Sequence, residues 1–272
     1  MHAFLIDIAR CCGCYNCQIA CKDEHCGNDW SPYAKPQPDT GQFWIKVTEE
    51  EKGTVPKVRV VYRPYLCMHC DNAPCLASCP IEGALYKRQD GLVIIDPQKC
   101  SGCMSCIHAC PYHAIYYNND LRLAQKCTGC AHLLDKGWKE PRCADVCPTG
   151  AIKWVDQAEI EKMKNKAEVI HPELGTRPRV YYINMPKRFI AGLVYDPLIK
   201  KVVEGAECTL TSKGQSFNTT TDGFGDFWFE NLEEDIYSLK IAAKGYVLKT
   251  INNINSEKDV NLGDIPLNQA KL

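Results

Sequence analysis

The chain has 272 residues, enough for one large domain or two ordinary ones, and its formal net charge is −1. Because this charge creates no basic field, we expect neither a nucleic acid nor an anionic membrane as a partner. No apolar stretch approaches the roughly 20 residues that a membrane helix needs, and the first residues lack the pattern of a secretory signal.

Cysteine is the most informative residue type, with 19 in the chain. An odd number cannot pair completely in disulfides, and many of these cysteines repeat a C-x₂-C spacing. Disulfide scaffolds belong mainly to short secreted chains. The pattern therefore favours metal ligation in a reducing compartment.

The first cysteine run, CCGCYNCQIAC, contains Cys11, Cys14, Cys17 and Cys21, with gaps of two, two and three residues. Cys12 breaks this spacing, so we interpret it as a non-ligand. A glycine precedes the second cysteine here and in two later runs. We expect this glycine to let backbone N–H groups turn towards an inorganic sulfur.

An insertion follows at residues 22–66. We predict a β-hairpin within it, with strands at 43–48 and 57–62 and a charged turn at 49–54. The insertion could contact a partner or cap one metal cluster, and the sequence favours neither role over the other.

Three further cysteine runs lie beyond the insertion, and each is followed by a proline and a short predicted strand. The run at 100–110 has the C-x₂-C-x₂-C-x₃-C-P spacing of bacterial ferredoxins that hold two clusters. The run at 67–79 has a middle gap of four residues, and the run at 127–147 has one of twelve. These internal repeats predict duplicated two-cluster ferredoxin-like units over residues 1–155.

The rest of the chain divides into two parts that differ in composition and in predicted secondary structure. Residues 156–188 are helix-prone up to residue 170 and then predict a strand at 179–184, so we interpret them as a connector. Residues 189–272 alternate short strands and turns, which predicts a small all-β sandwich. The expected fold class is therefore α+β, with the ferredoxin-like units first and the sandwich last.

Four runs of four cysteines supply sixteen thiolates, enough for four 4Fe–4S clusters. The count also allows three clusters with one empty or converted site. In a two-cluster ferredoxin the fourth cysteine of each run ligates the other cluster. The second and third runs are neighbours and should pair in this way, which leaves the first and fourth to pair. The predicted ligand sets are Cys67, Cys70 and Cys75 with Cys110; Cys100, Cys103 and Cys106 with Cys79; Cys11, Cys14 and Cys17 with Cys147; and Cys127, Cys130 and Cys143 with Cys21.

A structural zinc site is the alternative for any single C-x₂-C pair, above all in the fourth run with its long gap. Zinc does not account for runs in which three thiolates crowd into seven residues. Four histidines in or near the runs are expected to pack or form hydrogen bonds rather than to ligate: His69, His108, His113 and His132. The sequence shows no nucleotide-binding fingerprint, and we predict no catalytic residue in this chain.

The four runs, together with HPELGTRPRVYYIN, resemble the iron–sulfur subunits of the dimethyl sulfoxide reductase family of molybdoenzymes over about residues 1–184. The order of the runs and the gaps of four and twelve residues match that family. The resemblance implies the same pairing of runs. It also implies docking on a large catalytic subunit that binds molybdenum and molybdopterin guanine dinucleotide.

The tail departs from most members of that family, which end soon after the connector. Through GLVYDPLIKKVVEGAECTLTS and TTTDGFGDFWFENL it resembles a transthyretin-like or carboxypeptidase-regulatory-like sandwich. Four clusters followed by such a tail resemble the small subunits of phenol transhydroxylases, which are cytoplasmic in anaerobic bacteria. The resemblance implies a non-catalytic, cytoplasmic subunit of an enzyme that moves a hydroxyl group between phenols.

Two other functions stay open on the sequence. The chain could be a free polyferredoxin that shuttles electrons, or the electron-transfer subunit of another oxidoreductase of the same family. The insertion and the added sandwich favour a docked subunit, because shuttle proteins tend to be small. For the sandwich itself we expect a structural or docking role rather than ligand binding.

Overall fold

The computed structural model describes residues 1–270, which form two compact units. The first unit comprises Met1–Glu49 and Tyr62–Met185, and the second comprises Glu50–Val61 and the chain from Pro186 onward. Strands dominate both units, and the helices are short. None of the helices between residues 1 and 270 has the length and apolarity to cross a membrane.

The strands are β1 (His2–Asp7), β2 (Ile45–Thr54), β3 (Lys57–Leu66), β4 (Leu85–Lys87), β5 (Val93–Ile95), β6 (Ile115–Asn118), β7 (Leu123–Lys126), β8 (Ile152–Asp156), β9 (Val180–Ile183), β10 (Arg188–Asp196), β11 (Lys201–Val202), β12 (Glu207–Ser212), β13 (Gln215–Thr220), β14 (Asp226–Leu232), β15 (Ile236–Ala242), β16 (Lys249–Asn255) and β17 (Val260–Pro266). The helices are α1 (Asn16–His25), α2 (Pro74–Ala77), α3 (Ser105–Ala109), α4 (Ala131–Leu134), α5 (Arg142–Asp145) and α6 (Gln157–Met163).

The first unit contains a three-stranded sheet, with β1 in the centre, antiparallel to β8 and parallel to β9. Four consecutive residues of β1, from Ala3 to Ile6, are buried. Such a continuous apolar run is typical of a strand covered on both faces. Because it lacks alternation, β1 was not predicted. Since β9 lies in the predicted connector, the connector contributes a strand to this sheet.

Two small hairpins follow the second and third cysteine runs. The short strand predicted after the second run is found as β4, which pairs antiparallel with β5. The strand after the third run is β6, and it pairs with β7, which was not predicted. These hairpins place Val93 and Lys126 at the ends of strands close to the cysteine runs.

The helix predicted over residues 156–170 is shorter than expected, because α6 ends at Met163. Its start is well defined, since the Asp156 side chain accepts a hydrogen bond from the Glu159 N–H at 2.8 Å. Only Ile160 is buried in this helix. With one buried anchor and a polar continuation, packing does not support further turns.

The second unit contains two four-stranded sheets, in agreement with the predicted all-β tail. One has the order β11-β10-β14, with β17 parallel to β10, and the other has the order β13-β12-β15-β16. Apolar side chains from both sheets form one buried cluster that includes Ile190, Leu210, Phe227 and Leu239.

The predicted turn at 49–54 is wrong, because these residues continue β2 and the chain turns at Val55 and Pro56. The outer half of the hairpin belongs to the second unit. There the Lys52 ammonium lies 3.7 Å from the Asp259 carboxylate, and both side chains are almost fully buried. The charge of Lys52, which suggested a solvated turn, is therefore balanced by a buried carboxylate, while Glu49, Glu50 and Glu51 stay exposed on the extended strand.

Lys52→Met tests this buried ion pair. We expect the opening free energy of β10 to fall by about 3 kcal/mol, because the Asp259 carboxylate is left buried without its cation. Amide hydrogen exchange of residues 188–196 measures this quantity. Lys213→Met is the control, since Lys213 pairs with Asp235 but is 79% exposed, and it should leave the exchange nearly unchanged. Equal effects of the two variants would contradict the assignment.

Candidate metal centres

Three cavities in the first unit are each lined by four of the predicted cysteines. The cavities are lined by set A (Cys11, Cys14, Cys17 and Cys147), set D (Cys79, Cys100, Cys103 and Cys106) and set C (Cys67, Cys70, Cys75 and Cys110). The structure thus brings three predicted sets together, each with the cysteine from the partner run.

The fourth predicted set, set B (Cys21, Cys127, Cys130 and Cys143), is also brought together, and all four of its thiols are buried. Burial raises the pKa of Cys21 well above its ordinary value, and the neighbouring thiols of Cys127 and Cys130 raise it further. The pKa of Cys143 is raised by burial first, and then by the other three thiols. These effects require that the four sulfurs lie close to one another.

The crossing of the runs follows from helix geometry. Cys17 and Cys21 both lie on α1, one turn and about 6 Å apart along its axis. Because of this separation, the two sulfurs reach different sulfur sets. The helix α1 packs against α5, which carries Cys143, and α2 packs in the same way against α3. Each pair of runs therefore encloses two sets.

Left-handed glycines shape the loops of the runs, as the sequence suggested. Gly13, Gly102 and Gly129 have φ values of 67°, 71° and 61°. A Cβ on Gly102 would lie 2.2 Å from the Arg122 carbonyl oxygen, so no side chain fits there. In the fourth run the Gly129 N–H donates to Cys127 Sγ at 3.3 Å. The loops therefore turn their backbone donors inward, towards the sulfurs.

The sulfurs are set for binding to cationic iron rather than for free thiol chemistry. All 19 cysteines are free of disulfides. Burial raises the pKa of Cys17 and of Cys75 to about 12, so the bare chain would hold neutral thiols there at pH 7. A bound cation reverses this preference and stabilises thiolate ligands. Within residues 1–270 no three Cys, His, Asp or Glu groups converge on one ion position.

Buried donors beside the sets fit a group that carries acceptor sulfurs. The Val93 N–H donates to His69 Nδ1 at 3.0 Å, so the ring proton lies on Nε2. His69 lines the cavity of set C, and its buried Nε2 has no hydrogen-bond partner among residues 1–270. The buried hydroxyl of Thr128, next to Cys127, is equally unpartnered there. The inorganic sulfides of 4Fe–4S clusters would supply the missing acceptors.

The histidines beside set B form a packed group. His132 Nε2 lies 3.0 Å from Glu24 Oε1, and its ring stacks on Trp30 at 4.3 Å. His25, which was not singled out in the sequence, has its Nε2 3.9 Å from Cys130 Sγ. Its position one helical turn after Cys21 is the signal that could have identified it. His25 thus contacts this set through Cys130 Sγ, whereas His132 contacts Glu24 and Trp30.

The three cysteines outside the predicted sets occupy different surroundings. Cys12 is exposed at the rim of the set A cavity. The Cys26 thiol lies 3.2 Å from Asp39 Oδ1, and Cys208 is buried in the apolar core of the second unit. None of the three joins one of the four sulfur sets.

Comparison with known proteins supports both parts of the chain. The family model described as 4Fe-4S dicluster domain matches residues 58–157, and the carboxypeptidase regulatory-like domain matches residues 190–268. The chain is 40% identical to the pyrogallol hydroxytransferase small subunit of Pelobacter acidigallici, over 98% of this chain and 99% of that protein.

Subunits of several reductases are similar to a shorter part of this chain. The chain is 33% identical to a subunit of the tetrathionate reductase of Salmonella typhimurium, over 71% of this chain and 76% of that protein. It is 31% identical to the iron–sulfur subunit of the arsenate respiratory reductase of a Shewanella species, over 66% of this chain and 94% of that protein. The resemblances predicted for the cysteine runs and for the tail are thereby confirmed.

Gly102→Ala tests the loop geometry of set D, with Gly27→Ala as a matched control. Both glycines have φ of 71°, so both substitutions cost about 1 kcal/mol of backbone strain. Only Gly102 adds a clash, because nothing lies within 4 Å of a Cβ on Gly27. We expect iron and labile sulfide to fall in Gly102→Ala and to stay at the wild-type content in Gly27→Ala. The same content in both variants would contradict the geometry.

Proposed function

Since this chain belongs to the iron–sulfur subunits of the dimethyl sulfoxide reductase family of molybdoenzymes, we propose that it is the electron-transfer subunit of a heteromeric molybdopterin enzyme. Catalysis then lies on a large partner subunit, which holds the molybdenum and the molybdopterin guanine dinucleotide. The observation that carries this proposal is the grouping of sixteen cysteines into four buried or half-buried sets. Bound 4Fe–4S clusters would supply one-electron storage at these sets.

We further propose that the partner enzyme is a transhydroxylase that converts pyrogallol to phloroglucinol in the cytoplasm. The supporting observation is the similarity to the pyrogallol hydroxytransferase small subunit, which extends through the tail. Moving a hydroxyl group between phenols is redox-neutral overall. In this proposal the chain therefore sets or restores the oxidation state of the partner's molybdenum, and it carries no net current.

For the ligands, we propose the crossed assignment in which each of sets A to D holds one cluster. The duplicated arrangement follows, with one ferredoxin-like unit built on the first and fourth runs and one on the second and third. We also propose the domain limits 1–155, 156–188 and 189–272 as the duplicated iron–sulfur domain, the connector and the sandwich. The hairpin insertion at 22–66 lies within the first of these in sequence, although its tip, Glu50–Val61, belongs to the second compact unit.

We infer an order of the sets from the thiols that raise one another's pKa across set boundaries. Burial raises the pKa of Cys143 in set B, and among its neighbours the Cys17 thiol of set A contributes to the rise. Burial raises the pKa of Cys127 in set B to about 12, and the first neighbour that adds to it is the Cys67 thiol of set C. Sets C and D share the second and third runs. The order A, B, C, D therefore leaves sets A and D at its ends.

Exposure agrees with this order. Each terminal set has one exposed sulfur, Cys14 in set A and Cys103 in set D, whereas all the sulfurs of sets B and C are buried. Electrons can then enter at one exposed end and leave at the other. The buried middle sets are shielded from solvent oxidants and reductants.

Native mass spectrometry of the protein purified from its own cells under anaerobic conditions tests the proposed assembly. We expect a stable complex with one chain several times larger that contains molybdenum, and sixteen irons with sixteen sulfides in the small subunit. A lone monomer with the same iron content would instead identify a free polyferredoxin. A colourless chain with zinc and no labile sulfide would refute the electron-transfer function altogether.

Cys110→Ser tests the crossed ligation. In the crossed assignment, Cys110 belongs with Cys67, Cys70 and Cys75, so the electron paramagnetic resonance signal and potential of the set C cluster should change. If each run held its own cluster, the substitution would alter the cluster at Cys100 instead. Cys26→Ser is the control, because Cys26 lies outside every set and all signals should remain.

A further inference from the structure

Lys126 is a buried cation without a carboxylate partner. It ends β7 directly before Cys127, and only 2% of the residue is exposed. Its ammonium group donates to the Cys127 carbonyl oxygen at 2.9 Å and also to the Val93 carbonyl oxygen. No ion pair joins Lys126 to an acidic side chain within residues 1–270. A buried charge in this situation is costly unless another negative group compensates it.

The two carbonyl contacts place this ammonium group between two sulfur sets. Cys127 belongs to set B, and Val93 lines the cavity of set C. The ammonium group therefore lies beside the backbone of a set B cysteine and beside the wall of the set C cavity. Sets A and B are built from the first and fourth runs, and sets C and D from the second and third. Sets B and C are therefore adjacent in the series but have no run in common.

We propose that Lys126 is a shared counter-charge for the clusters of sets B and C and raises the reduction potential of both. The inference rests on the proposed function, which places a cluster in each set. Each cluster gains one negative charge when it accepts an electron, so a fixed cation nearby stabilises the reduced state. Lys126 touches neither cluster and acts through its charge, from a position between the two middle sets. This charge keeps both middle clusters reducible although they are buried.

Lys87 provides a matched contrast. Its ammonium group also donates to the carbonyl of a predicted ligand, Cys70, at 2.9 Å. Unlike Lys126, Lys87 forms an ion pair with Asp71, and its side chain is 24% exposed. The carboxylate and the solvent cancel most of its field. Lys87→Met should therefore change the potential of the set C cluster much less than Lys126→Met.

The test is a dithionite titration of the holo complex, followed by electron paramagnetic resonance. In Lys126→Met we expect two of the four clusters to become at least tenfold harder to reduce, which is about 59 mV for a one-electron couple. The signals altered in Cys110→Ser and Cys21→Ser identify these two as the clusters of sets C and B. Lys126→Arg should keep the wild-type potentials.

Several results would overturn the inference: unchanged potentials in Lys126→Met, an equal shift of all four clusters, or the same shift in Lys126→Arg.

If Lys126→Met loses clusters, Lys126→Gln replaces it, because it keeps a donor for the carbonyls without the charge. Loss of eight irons from both neutral variants but not from Lys126→Arg would support a charge requirement at two sets. Equal loss from all three variants would refute it. A wild-type complex without clusters would refute the proposed function itself, which is a separate outcome.

Discussion

The burial of sulfur is the constraint on which the first unit depends. Sets B and C hold eight buried cysteines, and burial raises the pKa of those such as Cys75 and Cys127 to about 12. The helices that carry these residues have only four to ten residues, which is too short to be stable alone. Their positions are therefore determined by packing around the sulfur sets. Cluster ligation can contribute this folding free energy directly, as metal does in small metal domains.

The cysteine sets could be predicted because the sequence gaps between the cysteines of a run fix where their sulfurs lie locally. A gap of three residues on a helix separates two sulfurs by one turn, as for Cys17 and Cys21. The last cysteine of each run then ligates a different cluster from the first three, so the repeated gap predicts that runs exchange their fourth ligands. Residues whose role depends on distant packing could not be predicted. His25 lies beside Cys130, from which it is 105 residues distant in the sequence. Lys126 is the last residue of the short strand β7, whose sequence alone gives no sign that this lysine is buried.

The errors in secondary structure have the same origin. The strand β1 has no alternation because both of its faces are covered by other parts of the first unit. The charged residues after Thr48 suggest a turn until the buried partners of Lys52 and Lys57 are known. The helix α6 has the composition for a longer helix but only one buried side chain. In each case the presence or absence of tertiary contacts, rather than local propensity, decided the structure.

The hairpin has a consequence for how such proteins can be recombined. Residues 50–61 are made long before the sandwich strands, yet they supply part of the second unit, where Arg59 lies 4.7 Å over the Trp228 ring. A single crossover near residue 186 would therefore transfer an incomplete sandwich to another iron–sulfur subunit. Grafting the tail as a functional module requires two exchanged segments, the hairpin tip and the C-terminal strands.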